Sequence, residues 1–93
     1  MYIVLVYDIS VETKVGQRVL RNVFKISKKY LHHIQNSVFE GELTKAHLEK
    51  LKSELARFVR KDQDSIIIFK SRTEKWLEKE FLGISIDKTS NLI

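Results

Sequence analysis

The chain opens on an almost unbroken apolar run, Met1-Tyr2-Ile3-Val4-Leu5-Val6-Tyr7-Asp8-Ile9-Ser10. A strand with one wet face alternates apolar and polar residues. A run that is apolar at nearly every position reads instead as a central strand buried on both faces. Residues 1–9 are therefore expected to form the strand around which the others pair. The run closes on a carboxylate. Burying Asp8 is costly without a cation, a cap or a donor, and strand ends that feed a helix are where open α/β and α+β folds place ligand chemistry.

Residues 13–30 read as a helix, with Ser10, Glu12 and Thr13 offering polar groups for its start. At helical spacing Val15, Val19, Val23, Ile26 and Tyr30 share one face, and Lys14, Arg18, Arg21, Lys25, Lys28 and Lys29 share the opposite one. Residues 32–39 read as a second strand. Ile34 and Val38 point one way along it; Gln35, Ser37 and Phe39 point the other. Glu40-Gly41-Glu42 reads as a bulge or bend leaving that strand. Thr44 is expected to cap a helix over 45–60, with Leu48, Leu51, Leu55 and Phe58 inward. Asp62-Gln63-Asp64 turns into a third strand, Ser65-Ile66-Ile67-Ile68-Phe69. Residues 75–82, with Trp76 and Phe81, read as a weaker strand, and Asn91-Leu92-Ile93 as a short terminal fifth one.

Four strands and two helices match the ferredoxin-like β-α-β-β-α-β plan, an α+β sandwich. Its four-stranded antiparallel sheet carries both helices on one face. Ninety-three residues suit one such domain, 1–93, with 83–93 as a C-terminal tail. The other sheet face is bare, yet the apolar strands would expose hydrophobic surface there. Such a patch is unusual on a soluble monomer. A homodimer in which two sheets face each other is expected, with Leu92-Ile93 extending the partner's sheet edge.

Composition narrows the function. Cysteine is absent, which removes disulfide frameworks and thiolate metal sites. No signal peptide or membrane-spanning run is read, so a cytoplasmic protein without membrane contact is expected. Seventeen Lys/Arg against twelve Asp/Glu give a net charge of +5, which favours polyanionic partners, nucleic acid first. The placement of that charge says more than its total. Structural helix faces usually mix signs to form i,i+4 pairs. The first helix carries a basic stripe without one acid, which points to phosphate contact. The second, with Glu49 and Glu54 among its cations, reads as an ordinary surface helix.

Four segments together resemble the CRISPR-associated protein 2 family: the opening strand ending in Tyr7-Asp8-Ile9, the basic first helix, Gln35-Asn36-Ser37-Val38-Phe39-Glu40-Gly41, and Asp64-Ser65-Ile66-Ile67-Ile68-Phe69. They stand in the family's order and spacing across nearly the whole chain. The resemblance implies a ferredoxin-like homodimer that serves in spacer acquisition beside the partner integrase, CRISPR-associated protein 1. It also implies duplex DNA held as a bridge or, in some members, magnesium-dependent cleavage of single-stranded RNA or duplex DNA. The family's metal-binding aspartate falls on Asp8, its basic helix positions on Arg18 and Arg21, and its strand-two phenylalanine on Phe39. The chain departs from the family at His33, where many members carry arginine; a histidine is mostly uncharged at neutral pH.

On residues alone Asp8 has plainer roles, as a cap of the following helix or the partner of an arginine. As a ligand of magnesium or another divalent cation it is one carboxylate per chain, and a twofold axis near it would supply a second. Tyr7 and Phe39 read as sheet packing, with Tyr7 also placed to orient a substrate or a water at Asp8. Lys14, Arg18, Arg21, Lys25, Lys28 and His33 are the expected nucleic-acid contacts, with Ser37 and Phe39 in support. Ser37 has no general base beside it in sequence, which argues against nucleophilic catalysis. His32 and His47 read as surface or structural residues. Rival classes are an RNA-recognition module, whose aromatic signature is missing, a toxin-type ribonuclease, and a metal carrier, which would need a Cys-x-x-Cys loop.

Overall fold

The computed structural model describes residues 1–83. In chain order it runs β1 (Tyr2–Asp8), α1 (Lys14–Tyr30), β2 (His32–Gln35), β3 (Val38–Glu42), α2 (Lys45–Ala56) and β4 (Ser65–Ser71), followed by a 3-10 turn at Glu74–Trp76. The sheet order is β2-β3-β1-β4 and every neighbouring pair is antiparallel. The apolar opening run is therefore a central strand, as its composition requires. The α+β ferredoxin-like arrangement is the one expected.

Alternation sorts β1 between the two faces. Ile3, Leu5 and Tyr7 are buried with Val19, Val23 and Ile26 of α1, Leu48, Leu51 and Leu55 of α2, and Phe39 of β3. Both helices thus cover one side of the sheet. On the other side Val4 and Val6 stand opposite Phe69 and Ile67 of β4. Ile67 is 51% and Phe69 56% exposed, so a broad apolar strip faces outward. Each helix starts at a threonine: the Thr13 hydroxyl accepts from the Gly16 amide and the Thr44 hydroxyl from the His47 amide, both at 3.1 Å.

The plan was reached by a different division of the chain. Residues 32–39 are two strands rather than one. They fold back at Asn36-Ser37, so that His33 pairs with Phe39 and Gln35 with Val38. Asn36 has φ 35, a conformation asparagine tolerates better than most residues. Glu40-Gly41-Glu42 does not leave the sheet; it continues β3 against β1. The expected third strand is β4. Residues 75–82 form no strand: after the 3-10 turn the chain crosses the open face near Val4, Ile34 and Val38, where Lys79 pairs with Glu40. The helix over 45–60 ends at Ala56, and Phe58 still packs on the core. Val15, assigned to the buried stripe, is 54% exposed at the outer end of α1. The terminal strand at 91–93 lies outside the described residues.

Candidate functional site

Asp8 ends β1, solvent-exposed, beside Ser65 of β4 in register. Both of its plainer roles are taken by other residues. Thr13 caps α1. The arginine that reaches the loop after Asp8, Arg60, is committed to Asp64. Among the described residues nothing pairs with the Asp8 carboxylate.

The backbone that follows Asp8 is fixed by a clamp that the turn assignment of Asp62–Asp64 overlooked. Asp64, its side chain fully buried, accepts from Arg60 Nε and Nη2 at 2.8 Å each. It also accepts from the backbone amides of Arg60 at 2.9 Å and Ser10 at 3.0 Å. Arg60 Nη2 donates to the Ser10 carbonyl at 2.7 Å. Both polar backbone groups of Ser10, two residues beyond Asp8, are thus held by one ion pair. The Arg60 hydrogen bonds and the two backbone amides hold the Asp64 carboxyl down to about 2 against the opposing effect of burial. The start of α1 leans on the same loop: a Cβ at Gly16 would stand 2.0 Å from the Ser10 carbonyl oxygen, so glycine is required there. The available signal was the i,i+4 spacing of Arg60 and Asp64.

Tyr7 does not accompany Asp8. Successive strand residues point to opposite faces, and Tyr7 is 4% exposed on the helix side, its ring stacked on Phe39 with centroids 6.0 Å apart. Burial pushes the Tyr7 phenol up. The expected role of Tyr7 at the carboxylate is therefore corrected: the sheet lies between them. Phe39 is fully buried on that same helix side. Ser37 supports β1 through its backbone, its carbonyl accepting from the Tyr7 amide at 3.1 Å.

The basic face of α1 emerges with one change. Lys14, Arg18, Arg21, Lys25 and Lys28 are exposed, and none forms an ion pair among the described residues. Lys29 leaves the stripe: its ammonium pairs with Glu54 of α2, which also accepts from the Tyr30 hydroxyl. Those two hydrogen bonds lower the Glu54 carboxyl, and the one between Lys29 and Glu54 raises the Lys29 ammonium. His33 is engaged inside the hairpin. Its Nε2 lies 2.8 Å from the Asn36 carbonyl oxygen, and its ring packs edge-on to Phe24 at 5.0 Å. It braces the turn beside the basic face.

Magnesium binds oxygen ligands, commonly one or two carboxylates with several waters. Asp8 is a hard, accessible ligand of the right kind, but a single one. Among the described residues no group of three His, Cys, Asp or Glu side chains could hold a metal ion. One chain therefore offers a single carboxylate, Asp8, at this strand end. No helix among those residues is long and apolar enough to cross a membrane.

An α+β sandwich with one helix face basic, one sheet face partly open and apolar and, among the described residues, an unpaired carboxylate at the exit of its central strand defines a ferredoxin-like protein. The sequence pattern of the family described as CRISPR associated protein Cas2 matches residues 1–79, and the chain belongs to that family. It is 57% identical over 93 residues to the CRISPR-associated endoribonuclease Cas2 of Fusobacterium nucleatum, a match covering all of this chain and 87% of that protein. A solved structure described as the crystal structure of cas2 is similar over 100% of this chain and 98% of its own, with 35% identity and a TM-score of 0.81. Streptococcus pyogenes Cas2, solved at pH 6.5, is 30% identical with a TM-score of 0.73, covering 87% of this chain and 100% of that one.

Proposed function

We propose that this chain works in the cytoplasm as a homodimer closed over the open sheet faces. In that form it binds duplex DNA through α1, bridges the CRISPR-associated integrase during spacer acquisition, and cleaves RNA phosphodiesters at a divalent ion held by two Asp8 carboxylates. The observation that carries the binding half is the set of exposed, unpaired cations on α1 with no acid among them. Phosphate contacts of this kind position nucleic acid without reading its sequence. The open face supports the dimer: Val4, Val6, Ile67 and Phe69 form an apolar strip that a second copy would cover.

The cleavage half is supported by the name of the Fusobacterium nucleatum relative, an endoribonuclease, and by Asp8, whose carboxylate has no partner among the described residues. The two Asp8 carboxylates would hold a divalent ion, which would supply charge neutralisation at a scissile phosphate and an activated water. The chain's own part is to aim Asp8: the Arg60–Asp64 clamp fixes the backbone on its far side, and the β4 pairing at Ser65 fixes it laterally.

Two variants separate the halves. Asp8→Ala should abolish magnesium-dependent cleavage of single-stranded RNA while leaving duplex DNA affinity within about twofold. Arg18→Glu with Arg21→Glu should weaken duplex binding at least tenfold at low salt. Unchanged cleavage in the first variant rejects the Asp8 centre; unchanged binding in the second rejects the α1 surface.

A further inference from the structure

On the helix side of the sheet, away from Asp8, lies a pocket of about 780 Å³ between α1 and the β2–β3 turn. Its walls combine three chemistries. Leu20, Phe24 and the Tyr7 ring supply apolar surface; Asn22, Asn36 and Ser37 supply amides and a hydroxyl; Arg21 and Lys25 supply positive charge. No acidic residue lines it. The volume lies inside the range that holds small organic ligands, roughly 300–1,000 Å³.

The pocket is framed by committed hydrogen bonds. The Tyr7 amide donates to the Ser37 carbonyl at 3.1 Å, tying the turn to β1. The Asn22 side-chain amide donates to the Arg18 carbonyl at 2.9 Å, which leaves its carbonyl oxygen for a ligand. The His33 ring holds the Asn36 carbonyl. One polar group inside this frame is left over. Tyr7 is 4% exposed as a whole, but its hydroxyl is not sealed in: it forms no hydrogen bond among the described residues and is not among their buried unpaired atoms. As Tyr7 lines the pocket, that phenol is free to donate to or accept from a ligand group there.

We propose that this pocket binds one unpaired nucleotide, its base against Phe24 and Tyr7 and its phosphate at Arg21 and Lys25. A nucleoside monophosphate matches the walls in kind. Its base offers a flat apolar face and a hydrogen-bonding edge, and aromatic side chains take such faces with little preference for sequence. Its phosphate needs cations, and no carboxylate stands by to repel it. The nucleotide can arrive free, or as the unpaired end of a strand lying along α1. The second case rests on α1 being the phosphate surface; the first does not.

The test uses the full chain and Tyr7→Phe, which removes only the hydroxyl. Uridine and adenosine monophosphates are titrated while backbone amide shifts of Tyr7, Asn36 and Ser37 are followed by NMR. In parallel, affinities are measured for a blunt DNA duplex and for the same duplex with one unpaired nucleotide. We expect saturable shifts at those amides with the mononucleotides, or several-fold tighter binding of the overhang duplex, and loss of most of that gain in Tyr7→Phe. Shifts with free nucleotide but no overhang preference assign the pocket to a free ligand. Overhang preference without them assigns it to a strand end. The proposal is overturned if neither appears, or if Tyr7→Phe weakens the blunt duplex as much as the overhang one. Loss of blunt-duplex binding alone, with the mononucleotide shifts intact, would fault the α1 surface and leave the pocket standing.

Discussion

The two faces of the sheet are built from the same strands and meet different fates. On the covered face Ile3, Leu5 and Phe39 are sealed completely beneath two helices. On the open face the neighbouring residues of those strands, Val4, Val6 and Val38, are only half buried, and Ile67 and Phe69 lie outward. Neighbouring residues are equally apolar, so composition cannot distinguish the faces. The helices do so: α1 and α2 each carry one apolar stripe and both dock on the same side. The other face is covered only in part, by residues 77–81, and Asp8, whose position in the alternation puts it there, lies with the uncovered part.

Two phenylalanines break this comparison most sharply. Phe39→Ala opens a cavity under the helices and should cost about 4 kcal/mol, read from the denaturation midpoint. Phe69→Glu should change the stability of an isolated chain by no more than about 0.5 kcal/mol, as for an exposed surface site, while converting the dimer to monomer in sedimentation. A Phe69→Glu protein that remains dimeric would show that the open face is not the assembly surface. If Phe39→Ala were as mild as a surface change, the covered face would not be the core.

The next effect concerns the hinge between the faces, the Ser10 loop. Asp64→Ala leaves a half-buried Arg60 and two backbone amides without the carboxylate that accepts from them, and should cost about 2 kcal/mol. The acid dependence has a fixed sign. The folded carboxyl lies near 2 and its ordinary value is 3.8. A depressed carboxyl stabilises the fold fully above its unfolded value and loses that contribution as pH falls toward the folded one. Wild-type protein should therefore weaken between about pH 4 and pH 2, and Asp64→Asn should flatten that part of the profile. An unchanged profile in Asp64→Asn would assign the acid response to other carboxylates.

Much of this was legible in the chain. Residues 1–9 announce a central strand because their apolar run is the longest in the chain, although the shorter run Ile66–Phe69 is as apolar and forms an edge strand. Thr13 and Thr44 mark helix starts because a hydroxyl can meet the amide three residues on. The hairpin was hidden for a physical reason: a two-residue turn at Asn36-Ser37 preserves the alternation of period two, so 32–39 reads as one strand, and asparagine in place of glycine conceals the bend. Residues 75–82 carry apolar residues at strand-like spacing, but the 3-10 turn after β4 takes them off the sheet edge and across its face. The Tyr7–Asp8 pair looked like one site because adjacent residues are close in sequence, although in a strand adjacency means opposite faces. The Asp64 clamp depends on contacts with Ser10, fifty-four positions away, which no local pattern records.

The smallest effect tests the basic face against itself. Lys25 and Lys29 are one turn apart on α1 and look equivalent in sequence. Lys29 is occupied by Glu54, whereas Lys25 stands in the line of Arg18 and Arg21 with no acid opposite it. Each phosphate contact contributes about 0.9 to the slope of log affinity against log salt on duplex DNA. Lys25→Gln in a dimer removes two such contacts and should reduce the slope by about 2. Lys29→Gln removes none and should leave the slope where it is, at the cost only of a solvent-screened surface ion pair. Equal slopes for the two variants would mean that the duplex reaches past the line of unpaired cations and competes with Glu54 for Lys29. The interface would then extend onto α2, whose mixed charges would have to be counted in the binding surface.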